Sequence, residues 1–239
     1  MAETLNPTVL DQRSFLYRTH ATAGAVFTEA NGFAVPQTYG ASVEEETARA
    51  HEMGVADLSH LSRTGFKGWN TATWLAAQGC TFEDAANMAY VQGCGARLLR
   101  LAPNELVVLG DAKGESGLVD KLDAAWSMET SDGTFAVPRA NTNCWLKVTG
   151  EHAPSMFAKI CAVDLRPGQF DEGAIAQTSV ARLNCIVVRN DIGLTIGYDV
   201  LTDSASAEYF WKALLDAMEE FSGAPIGVAA VRQLAGVQG

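Results

Sequence analysis

Asp57, Ser59 and His60 fall within one hexapeptide, Val-Ala-Asp-Leu-Ser-His, and bring a carboxylate, a hydroxyl and an imidazole that titrates near neutral pH into close succession. A hydroxyl beside an imidazole suggests a nucleophile and its base. The stretch reads as a strand, however, and neighbours on a strand face opposite ways, so Ser59 and His60 cannot pair locally. Ala56, Leu58 and His60 are expected on one face, and Asp57, Ser59 and Leu61 on the other. Such an element sets polar groups beside an apolar surface and could form the wall of a ligand pocket. A histidine bonded to backbone at a strand end is the ordinary reading of His60. Gly197-Tyr198-Asp199-Val200 is a second candidate, because a glycine beside an aromatic lets a flat ring approach the backbone. Gly93-Cys94-Gly95-Ala96 is glycine-rich but lacks the lysine and following helix of a phosphate cradle. Arg97 and Arg100 flank Leu98-Leu99 and suit either a ligand carboxylate or a solvated edge.

The five cysteines, Cys80, Cys94, Cys144, Cys161 and Cys185, are widely spaced, with no Cys-x-x-Cys pair. They read as buried thiols of a reducing compartment. His20, His51 and His152 show no metal-ligand spacing, and no metal site is expected. A formal net charge of -11 without any Lys/Arg run argues against nucleic acid and anionic membrane surfaces. No apolar stretch approaches the roughly 20 residues that span a bilayer, and Met-Ala-Glu-Thr-Leu-Asn-Pro-Thr has no signal-peptide pattern, so a cytoplasmic protein is expected.

Those residues need a scaffold, and the apolar spacing predicts one. Residues 1–12 read as a flexible arm, followed from Ser14 to Gly40 by short extended pieces. Val43 opens an acidic-fronted helix that Gly54 stops, and a helix carrying Trp74 and Leu75 follows Asn70-Thr71. Cys94–Leu101 and Glu105–Leu109 read as a hairpin, and Glu115–Trp126 as a helix. The second half repeats the alternation. A strand is expected at Cys144–Val148, a helix at Ala153–Cys161, and a strand pair at Ser179–Arg189 and Leu194–Leu201. A long helix over Ser206–Phe221, with Phe210, Trp211, Leu214, Leu215 and Met218 as its core stripe, precedes a short one over Gly227–Leu234. The fold class is therefore α+β, with two intimately packed subdomains in residues 13–239 dividing near 140.

Gly-Val-Ala-Asp-Leu-Ser-His, preceded by Pro36-Gln37-Thr38-Tyr39-Gly40 and the acidic helix, resembles the opening of the glycine-cleavage T-protein (aminomethyltransferase) family. Further fragments follow in order. Ala89-Tyr90 is similar to the family's Gln-Ala-Gln-Tyr, Val188-Arg189 and Gly197-Tyr198-Asp199-Val200 to the ends of Arg-Thr-Gly-Tyr-Thr-Gly-Glu-Asp-Gly-Phe-Glu-Ile, and Pro225-Ile226-Gly227-Val228-Ala229 to Pro-x-Gly-Leu-x-Ala-Arg-Asp. The resemblance implies an aminomethyltransferase-like fold around a hollow that binds tetrahydrofolate. It also implies a cavity wall of Ser59, His60, Tyr90, Arg189 and Tyr198, with the two tyrosines stacking the heterocycle.

The departures are specific. The family's Gly-Gly-Ile-x-Asp-Asp strand, which carries the catalytic aspartate, should fall after Tyr90, yet the chain runs through Val-Gln-Gly-Cys-Gly to Ala96, and no acid lies between Asp84 and Glu105. Leu194-Thr195-Ile196 stands where the family has its pterin-gripping glutamate, and a threonine cannot make that bidentate pairing. The family's C-terminal barrel domain is expected to be absent. These losses resemble the γ subunit of heterotetrameric sarcosine oxidase, as do Ala-Arg-Leu-Asn-Cys and Ala-Glu-Tyr-Phe-Trp-Lys-Ala-Leu-Leu. The resemblance leaves two expectations. One is a one-carbon protein that assists amine demethylation with tetrahydrofolate, its own catalysis undecided. The other is a non-catalytic γ-type subunit that binds no folate, with flavoprotein oxidase or demethylase subunits as partners. Homo-oligomerisation is left open.

Overall fold

A computed structural model describes residues 5–236. Residues 1–4 of the expected arm lie outside them. The Leu5 N–H donates to the Phe27 carbonyl, and β1 (Gln12–Arg13) pairs with β3 (Phe33–Thr38), whose hairpin partner is β2 (Val26–Ala30). Asn31-Gly32, both at positive φ, supply the tight turn that such a hairpin requires. A short helix, α1 (Tyr17–Thr22), interrupts the extended pieces expected over Ser14–Gly40.

The acidic-fronted helix is α2 (Val43–Glu52), opened by a capping box in which Ser42 and Glu45 satisfy each other's backbone N–H groups. The strand after it, β4, covers only Gly54–Asp57. Asp57 Oδ1 accepts the Ser59 N–H at 2.9 Å, and the Leu61 N–H bonds the Leu58 carbonyl. These bonds curl Leu58–Ser62 into a turn before β5 (Arg63–Lys67), so the alternation expected through Leu61 stops at Asp57.

The first half continues with α3 (Thr71–Ala77), β6 (Met88–Val91), β7 (Arg97–Ala102), β8 (Glu105–Leu109), α4 (Leu118–Ala125) and β9 (Phe135–Ala136). Its strands form a five-stranded sheet in the order β6-β7-β8-β5-β9. The second half contributes β10 (Asn143–Thr149), α5 (Ala153–Ile160), β11 (Ile175–Val180), β12 (Leu183–Arg189), β13 (Gly197–Asp203), α6 (Ala207–Met218), β14 (Ala224–Pro225) and α7 (Val228–Leu234). Here the strands make a six-stranded sheet, β11-β12-β13-β10-β4-β14, which takes β4 from the first half.

Strand parity sorts the core into layers. Cys144, Leu146, Val148, Tyr198 and Val200 face outward onto α5 and α6, where Phe157, Phe210 and Trp211 are wholly buried. Trp145, Leu201, Val188, Ala56 and Leu58 face the other way and meet Leu99, Leu101, Val107 and Leu109 of the five-stranded sheet. The far side of that sheet packs Phe66, Leu98, Leu106 and Val108 on Trp74 and Leu75 of α3 and Val119 and Leu122 of α4. The architecture is therefore helix, sheet, sheet, helix, with open sheets facing each other across a central layer.

Candidate functional site

The central layer is not completely filled. A cavity of about 250 Å3 lies between the sheets, bordered by Leu58, Leu61, Gly95, Arg97, Trp145 and Lys147, with Asp199 and Asn190 among the remaining wall. Lys147 and Asp199 are directly opposite each other on β10 and β13 and project from the inner face. Lys147 Nζ lies 3.2 Å from Asp199 Oδ1 and donates to the Asn190 carbonyl at 2.6 Å, with both side chains almost wholly buried. Trp145 Nε1 donates to Asp199 Oδ1 at 3.0 Å, and Asn190 Nδ2 donates to Oδ2. Burial pushes the Lys147 ammonium below the usual lysine range, an effect that Asp199 opposes and Arg97 reinforces. Gly197 makes room for this pair, because a Cβ there would sit 3.1 Å from Lys147 Cε and 2.4 Å from the Asn190 carbonyl oxygen.

Other charged groups on the wall are also engaged. Arg97 pairs with Glu172 at 3.3 Å, and Asp191 accepts from Arg189. Asp111 accepts the backbone N–H groups of Lys113, Glu115 and Ser116. Gly95, in the turn between β6 and β7, lies on the wall near the stretch where the family aspartate was expected.

The five site residues read from the sequence do not converge on this cavity. Ser59 and His60 border a separate cleft of about 760 Å3, which also carries Gln12, Asn31 and Arg63. Ser59 Oγ accepts the Trp145 N–H, and His60 Nδ1 has no partner. Burial drives the His60 imidazolium down to about 4; Asp57 favours the charged form, while Arg232 and Arg63 oppose it. Arg63 pins the turn by donating to the carbonyls of Ser59, Leu61, Ala140 and Asn143. Tyr90 packs on the outer side of the five-stranded sheet, where its hydroxyl donates to the Ala85 carbonyl.

Tyr198 is wholly buried on the outward face of the six-stranded sheet, against Phe157 at 5.2 Å and Phe170 at 6.4 Å. Its hydroxyl donates to the Leu165 carbonyl, and Arg189 lies over its ring while chelating Asp191. Neither tyrosine presents a ring to the central cavity. The parity of β13 is the reason: with Asp199 inward, Tyr198 must be outward.

Two arrangements escaped the sequence reading. Lys147 and Asp199 are one. Their signal was a lone charge in each of two apolar strands, Cys-Trp-Leu-Lys-Val and Gly-Tyr-Asp-Val-Leu, which calls for a buried partner. The other is a buried chain of hydrogen bonds. Tyr39 Oη lies 2.8 Å from His20 Nδ1, His20 Nε2 lies 2.9 Å from Asp57 Oδ2, and Ser14 donates to the same oxygen. Burial works to raise the Asp57 carboxyl, but the bonds and charge of His20, with Ser14 and Ser59, outweigh it and hold the group well below the usual range. Tyr39 is pushed well up, first by burial and then by Asp57 and Glu46. No local spacing signals this chain, since its members lie on α1, β4 and the segments around them.

Among the described residues, Glu52, Glu151 and His152 place three ligand-type atoms within 4.8 Å of one another on the surface. His152 is 3.8 and 3.5 Å from the two acids and stacks on Phe221, so a solvated ion-pair cluster accounts for it. No helix of the described residues is long and apolar enough to cross a membrane.

The model of the GCVT N-terminal domain matches residues 16–235. This chain belongs to that family. Curated relatives include the aminomethyltransferase of Moorella thermoacetica, 25% identical over 232 residues that cover 90% of this chain and 60% of the relative. That of Streptomyces avermitilis is 26% identical, covering 87% and 56%. The chain thus spans less than two thirds of the length of these relatives. Among solved structures, the glycine cleavage system aminomethyltransferase T of Bartonella henselae superposes with a TM-score of 0.73 at 16% identity, covering 94% of this chain and 62% of that one. A chain of the heterotetrameric sarcosine oxidase of Corynebacterium sp. U-96 gives 0.63 at 20% identity, covering 89% of this chain and 97% of that one. At these identities the two structures establish a shared fold. The resemblance first drawn from scattered fragments is thereby confirmed at the level of family and fold.

Proposed function

We propose that this GCVT-family chain serves as a subunit of an amine-oxidising flavoenzyme assembly, keeping the family fold around a contracted centre rather than transferring an aminomethyl group itself. The observation that carries this reading is the state of the central cavity. At about 250 Å3 it falls below the roughly 300–1,000 Å3 of pockets that enclose drug-sized ligands, and a folate is larger still. Its inward carboxylate, Asp199, is already held by Lys147, Trp145 and Asn190, which leaves little acceptor capacity for the amino-pyrimidine edge of a pterin. The near-complete coverage of the similar sarcosine oxidase chain supports the same reading.

The competing reading keeps tetrahydrofolate as cofactor, in a one-carbon protein that assists amine demethylation. It is favoured by the position of the cavity, which opens between the two facing sheets and carries polar groups. Calorimetric titration of the purified chain with tetrahydrofolate separates the two. The subunit reading predicts no saturable heat under conditions where an active aminomethyltransferase responds. A saturable isotherm near one equivalent would overturn it.

A further inference from the structure

A buried amine that borders an internal cavity, beside a group able to take its proton, is the equipment for carbonyl condensation. Lys147 has each part. Lys147 lines the inter-sheet cavity, and its Nζ lies 3.2 Å from Asp199 Oδ1. Arg97 also borders the cavity and disfavours a second positive charge, and Gly197 leaves the space that the lysine stem fills. A buried lysine shifts readily toward its neutral, nucleophilic form, which is why lysines in such places form Schiff bases. At about 250 Å3 the cavity suits an occupant of a few carbon atoms.

We propose that Lys147 condenses reversibly with a small carbonyl compound, an aldehyde of a few carbons, admitted to the cavity between the two sheets. Asp199 takes one proton from the Lys147 ammonium, and the freed lone pair forms a C–N bond to the carbonyl carbon. The carbonyl π pair moves to oxygen, which takes a proton from the attacking nitrogen to give a neutral carbinolamine. The nitrogen lone pair then expels that hydroxyl as water, with the proton returned through Asp199. The balance is one ammonium and one carbonyl giving one protonated imine and one water, without an oxidant or reductant. The Asn190 carbonyl, 2.6 Å from Nζ, positions the amine. The inference does not rest on the subunit reading, because it concerns an isolated chain and a reagent.

The test is reductive trapping. The folded chain is treated with limiting acetaldehyde and cyanoborohydride, digested and mapped by mass spectrometry for the gain of one ethyl group at each lysine. The other lysines, Lys67, Lys113, Lys121, Lys159 and Lys212, are all exposed and serve as internal references. Lys147 is expected to be labelled ahead of all five in the folded chain and to lose that lead when the chain is denatured first. Labelling of the exposed lysines while Lys147 stays unmodified would overturn the proposal, and so would an equal lead in the denatured chain. Lys147→Arg, which keeps the charge, should remove the fast label alone.

Discussion

His60 is held uncharged by its surroundings, and that has a consequence for acid stability. Its folded pKa, about 4, lies below the roughly 6.5 of an unfolded histidine. Between those values the unfolded chain binds the proton that the folded chain refuses, so stability falls as pH drops through this window. The full effect is on the order of 3 kcal/mol. Urea unfolding at pH 7 and pH 4.5 should show that loss, and His60→Gln should flatten it. Asp57 acts with the same sign, at lower pH. Its depressed carboxyl stabilises the fold above the ordinary carboxylate range, and that contribution is lost only as pH falls further, toward its folded pKa. The Lys147–Asp199 pair gives a second prediction at this scale. Lys147→Met strips a wholly buried carboxylate of its charge partner and should cost about 3–5 kcal/mol in urea unfolding. The remaining donors, Trp145 and Asn190, set the expectation at the lower end. Adding Asp199→Leu should recover most of the loss. From the sequence, Gly-Tyr-Asp-Val could be placed on a strand, but β13 is buried on both faces through Thr202, so no polar alternation revealed which side Tyr198 took.

Among the elements, the helices were the most legible. The acidic first turn of α2, the apolar stripe of α6 and Gly54 after α2 are local signals, and local signals are what a sequence states directly. The strand Ile175–Val180 was hidden for an identifiable reason. It is an edge strand of alternating exposure, and it joins β12 through Ala181-Arg182, both at positive φ. A two-residue turn of that kind ordinarily advertises itself with Asn-Gly; here an alanine and an arginine carry the strain, so Ser179–Arg189 read as one strand. The junction of α7 is decided by long-range packing. Glu46 on α2 accepts the backbone N–H groups of Tyr39 and Gly227, clamping the end of β3 and the start of α7 to one buried carboxylate. At Gly227 an added Cβ would lie 1.9 Å from the Gln37 carbonyl oxygen. Gly227→Ala should therefore lower stability by about 3 kcal/mol, the upper end of overpacking costs. Gly93→Ala, with nothing within 4 Å of the new methyl, should be nearly silent in the same denaturation series.

At the scale of the molecule, the sequence conveyed two strand-and-helix halves and a family, but not what their meeting surface would hold. That surface is assembled from β4, β10, β12 and β13 on one side and β7 and β8 on the other. Most of it closed into apolar core, leaving a small cavity with a paired lysine and aspartate at its polar end. A protein of this kind keeps the fold of a transferase while its centre is largely committed to its own packing. Under the proposed subunit role, its contribution comes from what it joins. Affinity purification of the tagged chain from its native cell, read by mass spectrometry and by flavin absorbance, tests this most directly. The account predicts flavin-bearing polypeptides in stoichiometric ratio with the chain, while recovery of the chain alone, without flavin, would contradict it.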